Sequence, residues 1–365
     1  GEKGVFVTAG ESTRLATALF SRHAARRVVY PSPSARPGGF MEWLSGELAR
    51  GGHDAVIATE YETQLLLVRN RGVLERCVRL PFPGAALMER VHDKAALMEY
   101  AASAGVDVPL TFLPEGPGHV DELAGRLDYP VVVKPRRSSG SRGIVYARNA
   151  DELRRAWRTV NSRHPLPMVQ EYVPTVAGGA RGVGVVYNFD SEPRAAFAYR
   201  RLREYPVSGG PSTLRESIDD RGLVERALFL MNRLGWVGPA MVEFRMDARD
   251  GRPKLLEINP RLWGSLQLAV LSGVDVPWML ARLAVDGDVE PVMDYRAGVR
   301  CRWLVPGDLM HLLTNPAWPS VLKDFFRRTD GDDIISASDP WPLLGRACSA
   351  VALLYSKELR SVVFR

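Results

Sequence analysis

The chain has 365 residues, 46% of them hydrophobic and 25% charged, a composition that excludes a disordered chain and leaves room for two or three domains around sizeable cores. A net charge of +6 is spread over dispersed arginines without interleaved aromatic platforms, which points to small anionic substrates and away from nucleic acid. No apolar run approaches the ~18 residues of a spanning helix, and the opening GEKGVFVTAG has no signal-peptide pattern, so a cytoplasmic location is expected.

In chain order, Gly4 to Ala9 reads as a strand, Thr13 to His23 as a helix and Arg27 to Tyr30 as a second strand. A helix over Met41 to Arg50 and a third strand over Asp54 to Ala58 follow. This alternation predicts a small parallel α/β domain over residues 1–88, and without a GxGxxG it is not expected to bind a dinucleotide. Arg90 to Gly105 reads as one helix, with Val106 to Leu113 leading into the next strand.

Tyr129 to Val133 reads as a buried strand ending at Lys134, and Arg136 to Gly143 follows as a loop of three arginines, three serines and two glycines. Glycine and serine let backbone amides approach phosphate oxygens, while a strand-borne lysine supplies a fixed point charge. No Gly-Lys-Ser/Thr follows, so this is not a Walker loop. Beyond VQEYVP at Val169 to Pro174, the stretch Tyr199 to Ser217 sets Arg200, Arg201, Arg203 and Arg215 around a Ser-Gly-Gly-Pro-Ser turn. It reads either as a receptor for an anionic substrate group or as a solvated strand; Arg215, just after the turn, is the favoured anion ligand.

Leu223 to Leu234 and Val276 to Val285 read as amphipathic helices. Between them lies MVEFRMDARDGRPKLLEINPR, Met241 to Arg261. Its two apolar runs flank an Asp250-Gly251 turn, which predicts a hairpin. With the turn centred there, Glu243 falls opposite Glu257, and Asn259 shares their face because side chains alternate along a strand. Opposed carboxylates are destabilising unless a cation lies between them, so this face is a candidate magnesium site.

Residues 288–365 form a looser C-terminal extension, with a strand at Val299 to Leu304 and short helices at Asp308 to Leu313, Val321 to Phe326 and Leu343 to Leu354. Trp303, Trp318 and Trp341 are expected to pack into a core. Cys77, Cys301 and Cys348 lie in no nucleophile motif, and the six histidines form no close pair, so neither thiol catalysis nor a zinc site is expected. His92 beside Asp93 reads as structural.

The strand-borne Lys134 with its Gly/Ser loop, then VQEYVP, then the acidic hairpin ending LEINPR, resemble the ATP-grasp superfamily, to which biotin carboxylase and carbamoyl phosphate synthetase belong. The resemblance covers roughly Met88 to Gly287 and implies a two-subdomain α+β core over residues 89–287, with a hinge near 170–174. It implies that Lys94, Lys134, Ser138, Ser139, Gly140, Ser141 and Gly143 bind the phosphates of ATP, and that Glu171, Tyr172 and Val173 enclose the adenine. It further implies that Glu243, Glu257 and Asn259 hold one or two magnesium ions, for which manganese could substitute. Arg261 would meet the transferred phosphate, acting with Lys134 in catalysis, and Arg201, Arg215 and Arg261 would hold substrate. Thr175 to Asn188 contains no carboxylate where the family often places a ribose ligand.

The implied activity is ligation of a small carboxylate to an amine or similar nucleophile through an acyl-phosphate, releasing ADP and phosphate, in a protein for which a homodimer is allowed. Two alternatives stay open: a nucleotide-binding regulatory protein without turnover, and a bicarbonate-using enzyme of the carboxylase type.

Overall fold

The computed structural model describes residues 3–138, 140, 142–207 and 209–355, with side chains to residue 349. Ser139 and Ser141 lie outside the described residues. The chain forms two compact units, Gly1–Leu80 with Gly331–Arg365, and Pro81–Asp330.

In the first unit β1 (Val7–Glu11) and β2 (Ala24–Val29) pair in parallel, and the Tyr30, Phe40 and Trp43 rings pack together at centroid separations of 5.0 to 6.3 Å, Tyr30 edge-on to Phe40. The helix expected over Thr13 to His23 is only a single 3-10 turn, Thr17–Phe20. The Arg27 guanidinium donates to the carbonyls of Leu19 and Ser21 at the end of this turn. The third strand expected over Asp54 to Ala58 shrinks to one isolated bridge between Ala55 and Arg79. Helix Trp341–Tyr355 packs on the 3-10 turn, with Gly345 so close under the Phe20 ring that a Cβ would come within 2.5 Å of it.

The second unit holds two antiparallel sheets. The smaller comprises β3 (Thr111–Phe112), β4 (Val131–Lys134), β5 (Val145–Ala147) and β6 (Met168–Glu171), in the order β3-β6-β4-β5. Helices Pro117–Ala124 and Ala150–Asn161 cover one side, burying Val131, Val133, Leu153, Trp157 and Val169.

The larger sheet contains β7 (Ala180–Tyr187), β8 (Pro193–Glu204), β9 (Ser212–Ser217), β10 (Gly238–Met246), β11 (Pro253–Asn259) and β12 (Arg300–Arg302). Their order is β11-β10-β7-β8-β9-β12. Its two faces separate by alternation. Val183, Val185, Ala196, Ala198, Val242, Phe244 and Ile258 form the core with helix Arg221–Arg233. The opposite face carries Glu243, Glu257, Asn259, Tyr199, Arg201 and Arg215, as the registers Glu243↔Gly182↔Tyr199↔Ser217 and Arg201↔Arg215 require.

Trp318 and Trp341 are not core residues, being 53% and 54% exposed. Among the described residues no single helix is long and apolar enough to cross a membrane. The bent pair Leu266–Ser272 and Val276–Asp286 has the composition, but Leu268, Ala269, Val276, Leu280 and Leu283 are buried within the protein.

Candidate active site

The Asp250-Gly251 turn closes the β10–β11 hairpin, with Gly251 at φ +71, a conformation that favours glycine. Glu243 stands opposite Glu257, and a bulge follows immediately between Glu243 and Phe244. The Glu243 and Glu257 side chains are 14% and 23% exposed. Asn259 Nδ2 donates to both carboxylates, at 3.2 Å to Glu243 Oε1 and 3.0 Å to Glu257 Oε1. Arg261 backs this amide, with Nη2 3.3 Å from Asn259 Oδ1 and Nη1 donating to the Leu262 carbonyl at 2.7 Å.

Two lysines reach the same floor. Arg90 to Gly105, expected as one helix, is two, Ala85–His92 and Lys94–Ser103, broken at an extended Asp93. Asp93 Oδ1 accepts from Ala95 N at 3.1 Å and Ala96 N at 3.4 Å, a side-chain N-cap that satisfies helix-terminal amides. Lys94 therefore opens the second helix, and its Nζ lies 3.2 Å from Glu257 Oε2 and 2.6 Å from the Ser138 carbonyl. Asp93 also binds Arg136 through two bonds, of 3.1 and 2.9 Å, and Arg137 at 3.3 Å. One aspartate thus caps the helix and anchors the base of the Gly/Ser loop. Within the loop Gly140 and Gly143 have φ of +69 and +74.

Lys134, at the end of β4, is 7% exposed, and burial with the nearby Lys94 charge pushes it down to about 8. The opposed carboxylates behave differently. Burial and the Glu257 charge raise Glu243 in spite of Arg201. Burial opposes ionisation of Glu257 too, but Lys94, the Asn259 amide and Lys134 bring it down to about 2. His92 is pushed down to about 4 by burial and by Lys94, so it is neutral at neutral pH and fits a structural role.

At the expected hinge, Glu171 N donates to the Leu110 carbonyl at 2.9 Å and Tyr172 N to that of Pro130 at 3.3 Å. The Glu171 carboxylate is held by Lys254 at 2.6 Å and Arg249 at 3.3 Å, which tie the small sheet to the hairpin. Val173 is buried, and the Tyr172 ring packs edge-on against Tyr146 with centroids 5.9 Å apart.

The four arginines of the Tyr199 to Ser217 stretch divide. Arg201 joins the acidic floor, with Nη2 2.5 Å from Glu243 Oε2, and Arg215, 1% exposed, stands opposite it across β8 and β9. Arg200 instead pairs with Glu216 at 2.5 Å. Arg203 makes a bidentate pair with the fully buried Asp308, at 2.8 and 2.7 Å, and Arg302 and Thr213 join it there. Neither Arg200 nor Arg203 therefore contributes a free cation to the floor.

Gly182, Gly184 and Trp263 were not singled out by sequence. A Cβ on Gly184 would lie 2.3 Å from the Trp263 ring, and one on Gly182 would lie 2.6 Å from that of Tyr199. The alternation Gly-Val-Gly-Val in β7 was the available signal: valines face the core, and glycines admit two rings on the site face.

No group of three His, Cys, Asp or Glu side chains assembles for a metal among the described residues. The hairpin offers two carboxylates and an amide, an oxygen-only donor set suited to magnesium. The opposed carboxylates fit such an ion, and Asn259, whose Nδ2 faces both carboxylates and whose Oδ1 faces Arg261, would add an oxygen with its amide turned over.

Two antiparallel sheets bringing a lysine-bearing strand and an acidic hairpin to one site define an ATP-grasp fold. The chain matches, over residues 189–305, the family described as "ATP-grasp in the biosynthetic pathway with Ter operon". It is 28% identical over 242 residues to an uncharacterized protein of Sinorhizobium fredii, covering 62% of this chain and 48% of that one. To a D-alanine–D-alanine ligase of Methylococcus capsulatus it is 26% identical over 225 residues, covering 58% and 65%. The biotin carboxylase domain of Hydrogenobacter thermophilus 2-oxoglutarate carboxylase, solved with MgADP and bicarbonate, shares the fold at a TM-score of 0.65 and 16% identity, covering 82% and 68%. The chain thus spans about half to two thirds of the length of the curated relatives named here.

Proposed function

We propose that the protein is an ATP- and magnesium-dependent ligase that activates a small carboxylate as an acyl-phosphate and joins it to an amine or similar nucleophile. The observation that carries this reading is Glu243 opposed to Glu257, with Asn259 bridging both and Lys94 on the same carboxylate pair. Arg201 and Lys94 offset the repulsion between the two opposed carboxylates, and oxygens so placed suit a divalent cation.

In this reading the core acting on nucleotide spans residues 89–287. Lys94, Lys134 and the Gly/Ser loop hold the phosphates, and residues 171–173 line the adenine. Glu243, Glu257 and Asn259 would hold magnesium, which supplies charge neutralisation on the phosphate oxygens. The substrate carboxylate oxygen attacks the γ-phosphorus, the bond to ADP breaks, and Arg261 meets the developing oxyanion with its planar fork. The amine then attacks the acyl carbon and phosphate leaves, while the Gly/Ser loop excludes water. Arg201 and Arg215 bind the anionic group of the substrate. No side-chain nucleophile is required, and a cytoplasmic location with small-molecule partners suits this chemistry.

Hydroxylamine supplied in place of the amine tests the reading. It captures an acyl-phosphate as a hydroxamate, so hydroxamate should form with MgATP and a pool of small carboxylates and amino acids. ADP release without hydroxamate across that pool would contradict an acyl-phosphate route.

A further inference from the structure

All four carboxylate oxygens of the acidic pair carry a donor from within the protein. Glu243 Oε1 and Glu257 Oε1 accept from Asn259 Nδ2 at 3.2 and 3.0 Å, Glu243 Oε2 faces Arg201 Nη2 at 2.5 Å, and Glu257 Oε2 faces Lys94 Nζ at 3.2 Å. A divalent cation needs those lone pairs directed at itself. A guanidinium 2.5 Å from Oε2 occupies the same electrostatic position, so cation and guanidinium compete for one oxygen.

Where Arg201 would go is set by the sheet. It stands directly opposite Arg215 on the site-facing side, and both side chains are largely buried, at 17% and 1% exposure. Two cationic side chains paired across strands repel. Glu243 offsets that repulsion on the Arg201 side, and Arg215 Nη1 donates to the Ser212 carbonyl at 2.8 Å. Once a metal claims Glu243, Arg201 is left with the longer contact to Glu204, at 3.6 Å, and its planar fork suits a carboxylate.

We infer that Arg201 exchanges partners: it is the counter-ion of Glu243 until a divalent cation binds, and then joins Arg215 in holding the carboxylate of the substrate. This rests on the magnesium-site reading above and deepens it, because it makes cation and carboxylate bind with positive coupling. An anion that captures Arg201 frees Glu243 for metal, and a metal that captures Glu243 frees Arg201 for the anion; the two effects are equal by linkage.

Calorimetric titration of Mn2+ into the full chain, with acetate or with chloride at equal ionic strength, tests the exchange once Mn2+–acetate complexation has been calibrated without protein. Acetate should tighten Mn2+ binding about fivefold, and Arg201→Met should bind Mn2+ more tightly than wild type in chloride while losing the acetate effect. The wild-type comparison stands alone if the variant does not fold. Equal Mn2+ affinity in acetate and chloride overturns the exchange but leaves the metal site intact, as does an acetate effect that survives in Arg201→Met. An absence of Mn2+ binding under every condition overturns the metal site and the exchange with it.

Discussion

Glu243 and Glu257 face each other across the β10–β11 hairpin but are neutralised by cations from different elements, Arg201 of β8 and Lys94 at a helix start. The pair is a junction of three segments as well as a hairpin contact. Glu257→Gln keeps shape and hydrogen-bonding capacity but removes the charge that Lys94 and Lys134 face. It should weaken Mn2+ binding about tenfold or more, a loss of ~1.4 kcal/mol, with a fold unchanged by circular dichroism. Calorimetry on both proteins checks this, and an unchanged affinity would remove Glu257 from the metal set.

Lys134 is depressed to about 8 by burial and by Lys94, whereas an unfolded lysine titrates near about 10.4. Between those values the unfolded chain holds a proton that the folded chain has released, so this group makes stability rise with pH across that window. Nucleotide affinity runs the opposite way because phosphate needs the ammonium form. Binding of a non-hydrolysable ATP analogue should begin to weaken as pH rises through about 8, approaching tenfold per unit, and Lys134→Met should abolish that limb. A flat wild-type profile from about pH 7 to about 9.5 would contradict a phosphate contact by Lys134.

Asp93 has two duties, which its variants should separate. Asp93→Ala loses the N-cap, at about 1 kcal/mol, together with the anchors of Arg136 and Arg137. Asp93→Asn keeps a capping oxygen but loses the ion pairs. Thermal melts should rank wild type above Asn above Ala, whereas KM for ATP should rise in both variants because the loop base is released. A normal KM in Asp93→Asn would show that the ion pairs do not position the loop.

Gly184→Ala would put a methyl 2.3 Å from the Trp263 ring. Overpacking of this kind costs about 1–3 kcal/mol, and displacement of Trp263 disturbs the segment that follows Arg261. A lower melting temperature with reduced turnover is expected, whereas a neutral substitution would mean that the ring moves aside freely.

Asp308→Ala leaves Arg203 and Arg302 without their shared carboxylate in a buried setting, where breaking a pair costs about 3–5 kcal/mol. Denaturant melts should show that loss, with KM for ATP unchanged in the protein that remains folded. A raised KM with unaltered stability would instead place Arg203 at the site.

The hairpin was legible in sequence because Asp-Gly marks the turn and alternation sets the face, but the exact register was not: Phe244 stands against Leu255, and the bulge beside it is what brings Glu243 opposite Glu257. Lys134 was legible as the end of an apolar strand. The break at Asp93 was not, because an apolar periodic run conceals a cap that only the Arg136 and Arg137 partners make decisive. The arginines of Tyr199 to Ser217 could not be sorted either. Bulges between Arg201 and Glu204 alter the register, and Arg203 finds its partner 105 residues away. Long-range ion pairs of this kind leave no periodic trace.

Product analysis of the purified full chain tests the central claim most directly: ADP and phosphate are measured with MgATP and pooled small carboxylates and amines, with Glu257→Gln in parallel. The account predicts stoichiometric ADP and phosphate release that requires both a carboxylate and a nucleophile and is lost in the variant. Tight MgATP binding with no substrate-dependent ADP release, or release that survives Glu257→Gln unchanged, would contradict it.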